Sequence, residues 1–191
     1  MSLKVTAGKF KGSKILSPPK IARPTSSMMR EALFNIISNQ IEGAFFLDLF
    51  SGSGIMGIEA LSRGAEKTIF VEMDRKNANN IQKNLIDLNI KDKAQIICSD
   101  VVKALNKIDL NFDIVFADPP YAQTFSLISQ TFSTLNKVSI LKNNAAVFIE
   151  TDSKFQINEI NVENFNLIRS KKYGNSTLHQ YEFGYNNLKN E

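Results

Sequence analysis

Two short segments carry residue types whose spacing can do chemistry. One is Asp118-Pro119-Pro120-Tyr121. Proline fixes φ and has no backbone N–H, so this loop presents acceptors: the Asp118 carboxylate and the Pro119 carbonyl. Acceptors aimed at a planar exocyclic amine localise a lone pair otherwise delocalised into an aromatic ring. They also offset the positive charge that builds on nitrogen as it attacks an electrophile, and positioning supplies much of the rest. Tyr121 is suited to stack on a flipped base. The plain alternative is a rigid turn with a satisfied Asp and a core Tyr. The other segment runs Leu47-Asp48-Leu49-Phe50-Ser51-Gly52-Ser53-Gly54-Ile55-Met56-Gly57, where Gly52, Gly54 and Gly57 match G-x-G-x-x-G. Such glycines let the backbone turn sharply and approach a nucleoside.

That pattern is shared by dinucleotide binders and other nucleoside binders. Asp48 separates them, because a buried carboxylate needs a partner. The ammonium and sulfonium of S-adenosylmethionine would serve; a pyrophosphate would be repelled. Asp48 can also cap the turn through backbone amides. Glu72 lies 20 residues after Gly52, the separation at which an acid accepts from ribose hydroxyls. Asp100 can accept from the adenine amine, or cap a helix that starts at Val101.

The elements that must position these groups follow from periodicity. Strands are expected at 45–50, 67–72, 94–98, 112–117 and 145–150, alternating with helices at 55–63, 78–88, 101–107 and 124–135. Alternation with nearly all-apolar strands argues a parallel sheet covered on both faces. After Asp152 a closing hairpin is expected, 165–170 with 178–185, around Gly174-Asn175. Upstream, 4–7 and 13–16 flank a glycine-bounded turn and read as a hairpin. Thr25 or Ser26 can cap a following helix, in which Met29, Leu33, Ile36 and Ile37 share a face, and Gly43 ends that segment. The expected organisation is a basic arm at 1–24, a catalytic domain at 25–186 and a tail at 187–191.

Composition bounds the rest. The 191 residues suit one domain. One cysteine and one histidine exclude a disulfide framework and a multi-histidine or cysteine metal cluster. No apolar run approaches a membrane span and no secretory signal opens the chain, so a soluble cytoplasmic protein is expected. The net charge of +4 is unevenly spread: residues 1–30 hold seven basic residues and no acid, leaving the remainder at −3. A basic arm on an acidic body suits a polyanion, although a solvated segment would look the same. His179 is expected to be a packed or surface residue, and Cys98 a small core residue.

Taken together, these residues resemble class I S-adenosylmethionine-dependent methyltransferases that carry an (Asp/Asn)-Pro-Pro-(Tyr/Phe) motif. More closely, the chain resembles the RsmD-type ribosomal RNA (guanine-N2) methyltransferases. The similarity covers Ala7 to Gly12, Arg23-Pro24-Thr25 with Arg30 to Asn35, Leu47 to Gly54, Gly57-Ile58-Glu59-Ala60-Leu61-Ser62-Arg63-Gly64-Ala65, Val71 to Arg75, and Phe112 to Tyr121.

The resemblance implies a three-layer α/β, Rossmann-like fold with a seven-stranded, mostly parallel sheet whose last strand is antiparallel, plus a basic N-terminal β-hairpin arm. It implies S-adenosyl-L-methionine held by Asp48, Phe50, Gly52, Gly54, Glu72, Met73, Asp100, Val101 and Asp118, with Asp118, Pro119 and Tyr121 catalytic. It implies one guanine of 16S ribosomal RNA as substrate, in a partly or fully assembled small subunit, and a monomeric enzyme without a membrane partner. Lys9, Lys11, Lys14, Arg23 and Arg30 become candidate RNA contacts; Arg23 and Arg30 could equally close the cofactor pocket. Tyr121 stands where many relatives have Phe, and Ser51 where many have Ala. The arm is Lys-rich where the family's is commonly Arg-rich, which gives up bidentate phosphate recognition.

Three other functions compete. The same loop serves N6-adenine or glutamine-amide methylation. A silent RNA-binding assembly factor could keep the fold. An NAD-dependent reductase would leave Asp118-Pro119-Pro120-Tyr121 unexplained and lacks an obvious acid/base pair.

Overall fold

The computed structural model describes residues 3–17, 26–120, 124–155, 157 and 163–184. A short antiparallel hairpin, β1 (Leu3–Lys4) with β2 (Lys14–Ile15), precedes α1 (Ser27–Ile36). Then come β3 (Phe45–Leu49), α2 (Ile55–Ser62), β4 (Lys67–Glu72), α3 (Arg75–Asp87), β5 (Ala94–Cys98), α4 (Val101–Leu105), β6 (Phe112–Ala117) and α5 (Thr124–Val138). The chain closes with β7 (Leu141–Asp152), β8 (Phe165–Tyr173) and β9 (Ser176–Phe183). Ser26 caps α1, its side chain accepting from the Met29 amide at 3.2 Å. That helix stops at Ile36, well before Gly43, which turns the chain into β3 at φ 72°.

Seven strands form one sheet in the order β5-β4-β3-β6-β7-β9-β8. β9 runs antiparallel to both β7 and β8; the other neighbouring pairs are parallel. Successive side chains of a strand point to opposite faces, and both faces are apolar. Phe46, Phe70, Phe116 and Phe148 meet Leu33 and Phe34 of α1, Ile58 of α2 and Ile81 of α3 on one side. Leu47, Leu49, Val71 and Val115 meet Val101 of α4 and Phe132 and Leu135 of α5 on the other. No described helix is long and apolar enough to cross a membrane.

Two expectations need correction. β7 is longer than 145–150 at both ends: Leu141 pairs with Phe112 of β6, and Thr151 and Asp152 pair with Thr177 and Ser176 of the returning β9. Cys98 is exposed rather than core: it ends β5, an edge strand that is only partly covered.

Candidate active site at the carboxyl ends of the strands

The chain leaves β3 in one direction to β4 and later returns on its other side as β6. A parallel sheet opens a crevice at such a reversal, outside the carboxyl ends of the strands. Register fixes what lines it. Ala117 pairs with Leu49, Leu49 with Val71, and Val71 with Ile97. The next residues along each strand are therefore Asp118, Phe50, Glu72 and Cys98, set side by side at about 4.8 Å spacing. The two motifs, some 60 residues apart in sequence, become neighbours here.

The turn after β3 is held by its own hydrogen bonds. Ser51 N donates to Val71 O at 3.0 Å, and the Ser51 hydroxyl lies 2.7 Å from Asp48 O. Phe50 sits at φ 58°, a left-handed conformation that costs a non-glycine residue about 1–2 kcal/mol. Gly54 then caps α2 at φ 75°. A Cβ on Gly57 would strike the Phe70 ring, so this glycine lets α2 lie close on β4.

The loop amides are already engaged. Gly52 N donates to Glu72 Oε2 at 2.7 Å, Gly54 N to Ser51 O at 2.7 Å, and Gly57 N to Asp48 Oδ2 at 2.9 Å. A dinucleotide fold instead aims such amides and a helix N-terminus at a pyrophosphate. Here those donors are spent on the Glu72 and Asp48 carboxyls and on the Ser51 carbonyl.

Asp48 is 1% exposed beneath this turn. Burial pushes its carboxyl well above the usual range; the Gly57 amide opposes the shift and the Glu72 charge adds to it. The turn-capping use of Asp48 is thus the one realised within the chain. Glu72 is buried at the rim, with Oε1 accepting from Asp74 N at 2.7 Å. Burial raises its pKa, and the amides of Asp74 and Gly52 partly offset the shift. Two amides thus orient the Glu72 carboxylate. Asp100 caps α4, accepting from Lys103 N at 3.2 Å, and Val101 is buried. Met73 is 74% exposed beside the rim.

In the Asp118 loop, Asp118 is half-buried, Pro119 buried and Pro120 exposed. Thr124 Oγ1 donates to Pro120 O at 3.3 Å, anchoring the loop to the start of α5. Tyr121 and Arg23 lie outside the described residues.

The basic arm is docked by Glu59, Ser62 and Arg63 of the 57–65 motif, whose purpose periodicity did not reveal, and by Arg30 and Asn84. Glu59, fully buried, accepts from Thr6 N at 2.7 Å and lies 3.5 Å from Arg30 Nε and 3.3 Å from Arg63 Nε. Ser62 O accepts from Lys9 N, and the Ser62 hydroxyl donates to Ala7 O while accepting from Phe10 N. Gly8, at φ 80°, lies so close to the Ser62 carbonyl that a Cβ would collide with it. Asn84 of α3 exchanges two hydrogen bonds with the Leu16 backbone. Arg30 is 3% exposed, faces Glu59 and donates to Lys4 O at 3.1 Å. It braces the arm from inside and is corrected here as an RNA-contact candidate, because a buried guanidinium cannot reach a phosphate. Lys9, Lys11 and Lys14 are exposed. The arm's turn packs at the C-terminal end of α2, about 12 Å along that helix from the glycine loop.

Strand order, reversal-point crevice and glycine loop define a class I methyltransferase fold. Within that class the chain belongs to the RsmD-type methyltransferase family: residues 3–182 match the family model described as Conserved hypothetical protein 95. Ribosomal RNA small subunit methyltransferase D of Haemophilus influenzae is 34% identical over 184 residues, covering 94% of this chain and 93% of that protein. Its Escherichia coli counterpart is 31% identical over 181 residues, covering 94% and 89%. Among solved structures, yhhF from Escherichia coli superposes with a TM-score of 0.85 at 30% identity, covering 96% of this chain and 99% of that one. HI0767 from Haemophilus influenzae gives 0.80 at 32% identity, covering 96% and 99%.

Proposed function

We propose that this protein moves the methyl group of S-adenosylmethionine to the exocyclic N2 of a guanine in 16S ribosomal RNA, acting on a partly or fully assembled small subunit. The observation that carries the reading is the register that sets Asp118-Pro119 beside the glycine loop at the strand reversal. The spent loop amides favour a donor without a pyrophosphate, and the relatives named ribosomal RNA small subunit methyltransferase D favour the RNA substrate.

The donor fits the acids at the rim. Glu72 would take the ribose hydroxyls and Asp100 the adenine amine, with Phe50, Met73 and Val101 along the crevice. When bound, it supplies an electrophilic methyl carbon on sulfonium sulfur. The chain's own groups prepare the nucleophile. The Asp118 carboxylate and the Pro119 carbonyl accept from the two N–H bonds of the amine, which turns its lone pair towards the crevice. As the amine nitrogen is alkylated, the sulfur leaving with the electron pair of its bond to the methyl carbon, the Asp118 carboxylate offsets the positive charge on nitrogen and would take the amine proton that is then released. Tyr121 is assigned the stacking face for the flipped base.

The test is incubation of the purified protein and methyl-labelled donor with unmethylated small subunits, followed by nucleoside mapping. N2-methylguanosine is the expected product; N6-methyladenosine, or tight RNA binding without transfer, overturns the reading. Asp118→Ala should lower turnover by at least 100-fold, the order typical of removing one transition-state electrostatic contact. Unchanged turnover would remove Asp118 from the chemistry.

A further inference from the structure

The arm's exposed lysines 9 and 11 sit at the far end of α2, so the crevice rim must find cations elsewhere if RNA is gripped next to the reacting base. β8 supplies them. It forms an edge of the sheet, hydrogen-bonded on one side to β9, and its residues 166–172 are all exposed. Residues 164–181 contain Arg169, Lys171 and Lys172 and no acid.

Register places this charge at the height of the reaction. Ala117 pairs with Ile149, Ile149 with His179, and His179 with Ser170. β8 runs in the same direction as β6, so Lys171 stands level with Asp118, about 14 Å away across three strand spacings. Lys172 and Tyr173 project further towards the substrate side. A bulge between Leu167 and Arg169 resets the alternation. Arg169, Lys171 and Tyr173 then lie opposite Gln180, Leu178 and Ser176 and share one face.

The side chains on that face are arranged for an anion beside a ring. Arg169 Nε donates to Gln180 Oε1 at 2.9 Å, which fixes the guanidinium plane. Lys171 Nζ lies 5.5 Å from the Tyr173 ring centroid. Acids on the adjoining strands are few. Glu150 is buried on β7, Asp152 Oδ1 accepts from Lys154 N, and Glu182 lies at the other end of the hairpin, opposite Asn166.

We propose that the outer edge of β8, through Arg169, Lys171, Lys172 and Tyr173, is an RNA-docking surface that grips phosphates flanking the target nucleotide. The inference rests on the reading of the protein as an RNA methyltransferase. A stripe of cations with an aromatic beside it suits single-stranded nucleic acid, whose phosphates and unstacked bases it meets together. Lysines on an edge strand also deter edge-to-edge association. That role would put them over the exposed apolar pair Leu167 and Ile168; Lys171 and Lys172 instead lie on the catalytic side of it.

The experiment uses the full chain and the triple variant Arg169→Gln, Lys171→Gln, Lys172→Gln. Methyl transfer to unmethylated small subunits is measured against RNA concentration at several salt concentrations. Direct binding of a labelled 16S fragment is followed in parallel, with light scattering and S-adenosylhomocysteine affinity as controls. The expected result is about a tenfold higher KM for RNA, with kcat and S-adenosylhomocysteine affinity unchanged. The slope of log K against log salt should fall by about 2, from roughly 0.7 per lost phosphate contact on single strands. Restoring arginine or lysine at all three positions should restore both quantities. An unchanged KM and slope overturn the proposal, as does a variant that only self-associates. Weaker capture of small subunits with unchanged binding of the RNA fragment would assign the edge to a protein partner, and also overturns it. A wild-type protein that transfers nothing to RNA sinks the underlying function instead.

Discussion

Removing the Glu59 carboxylate tests whether the basic arm is clasped by a buried charge. In Glu59→Ala the Thr6 amide loses its acceptor at 2.7 Å, and Arg30 and Arg63 lose a carboxylate at 3.5 and 3.3 Å. Arg30 is 3% exposed, so water cannot replace the partner. Burial already lowers the Arg30 pKa, and the Glu59 charge is what opposes that shift. Taking one partner from a buried ion pair costs about 3–5 kcal/mol, and leaving the part-buried Thr6 amide without an acceptor up to about 1–3 kcal/mol. The two losses share one group and do not add fully, so about 4 kcal/mol is expected. That is a large part of the roughly 5–15 kcal/mol that holds a domain together. At 2–4 °C per kcal/mol for this chain length, Tm should fall by roughly 8–16 °C. Glu59→Gln retains an acceptor for Thr6 and loses only the charge, so it should fall between. Urea denaturation gives the energies, and hydrogen exchange at Val5, Lys9 and Gly12, whose amides are bonded to the arm or to Ser62, shows whether the arm undocks first. A Glu59→Ala protein within about 1 kcal/mol of wild type would refute the clasp.

Three other outcomes follow from the same structure. His179 bridges Ser170 Oγ at 2.7 Å and Thr151 Oγ1 at 2.9 Å; Thr151 gives its proton to Asp152 O, so Nε2 carries the ring proton. Burial lowers its pKa to about 4; stability is therefore lost as pH falls from about 6.5 towards 4, by up to roughly 3 kcal/mol. NMR of this single histidine should show a midpoint near that value, and an ordinary midpoint refutes its burial as neutral imidazole. Asp48 has the opposite sign: its raised pKa makes the folded state hold a proton that the unfolded chain releases, so stability falls as pH rises above the ordinary carboxylate range. Asp48→Asn keeps an acceptor for Gly57 and should lessen that fall, measured as urea midpoints at acid and neutral pH; identical profiles would contradict it. Replacing Lys9, Lys11 and Lys14 with Ala should weaken RNA binding and lower its salt slope by about 2, and an unchanged slope returns the arm to solvent.

Local patterns were legible in the sequence. The bounds of β4, β5 and β6 follow from apolar runs closed by turn residues. The glycine loop and the Asp118 loop were also readable, because the conformations that they need restrict which residues can occupy them. What tertiary structure decided is everything that depends on strand order. Hydrophobic periodicity records that a residue faces inward, not which strand lies beside it. Only the return of β6 to the free side of β3 makes Asp118 a neighbour of the glycine loop. Only the placing of β5 at an edge exposes Cys98. Glu59 and Ser62 meet the arm across 53 and 52 residues of chain, a separation that no local pattern spans. A charged residue reads alike in sequence whether it grips a phosphate or, like Arg30, a carboxylate inside the protein; the difference is set by the walls that folding builds around it.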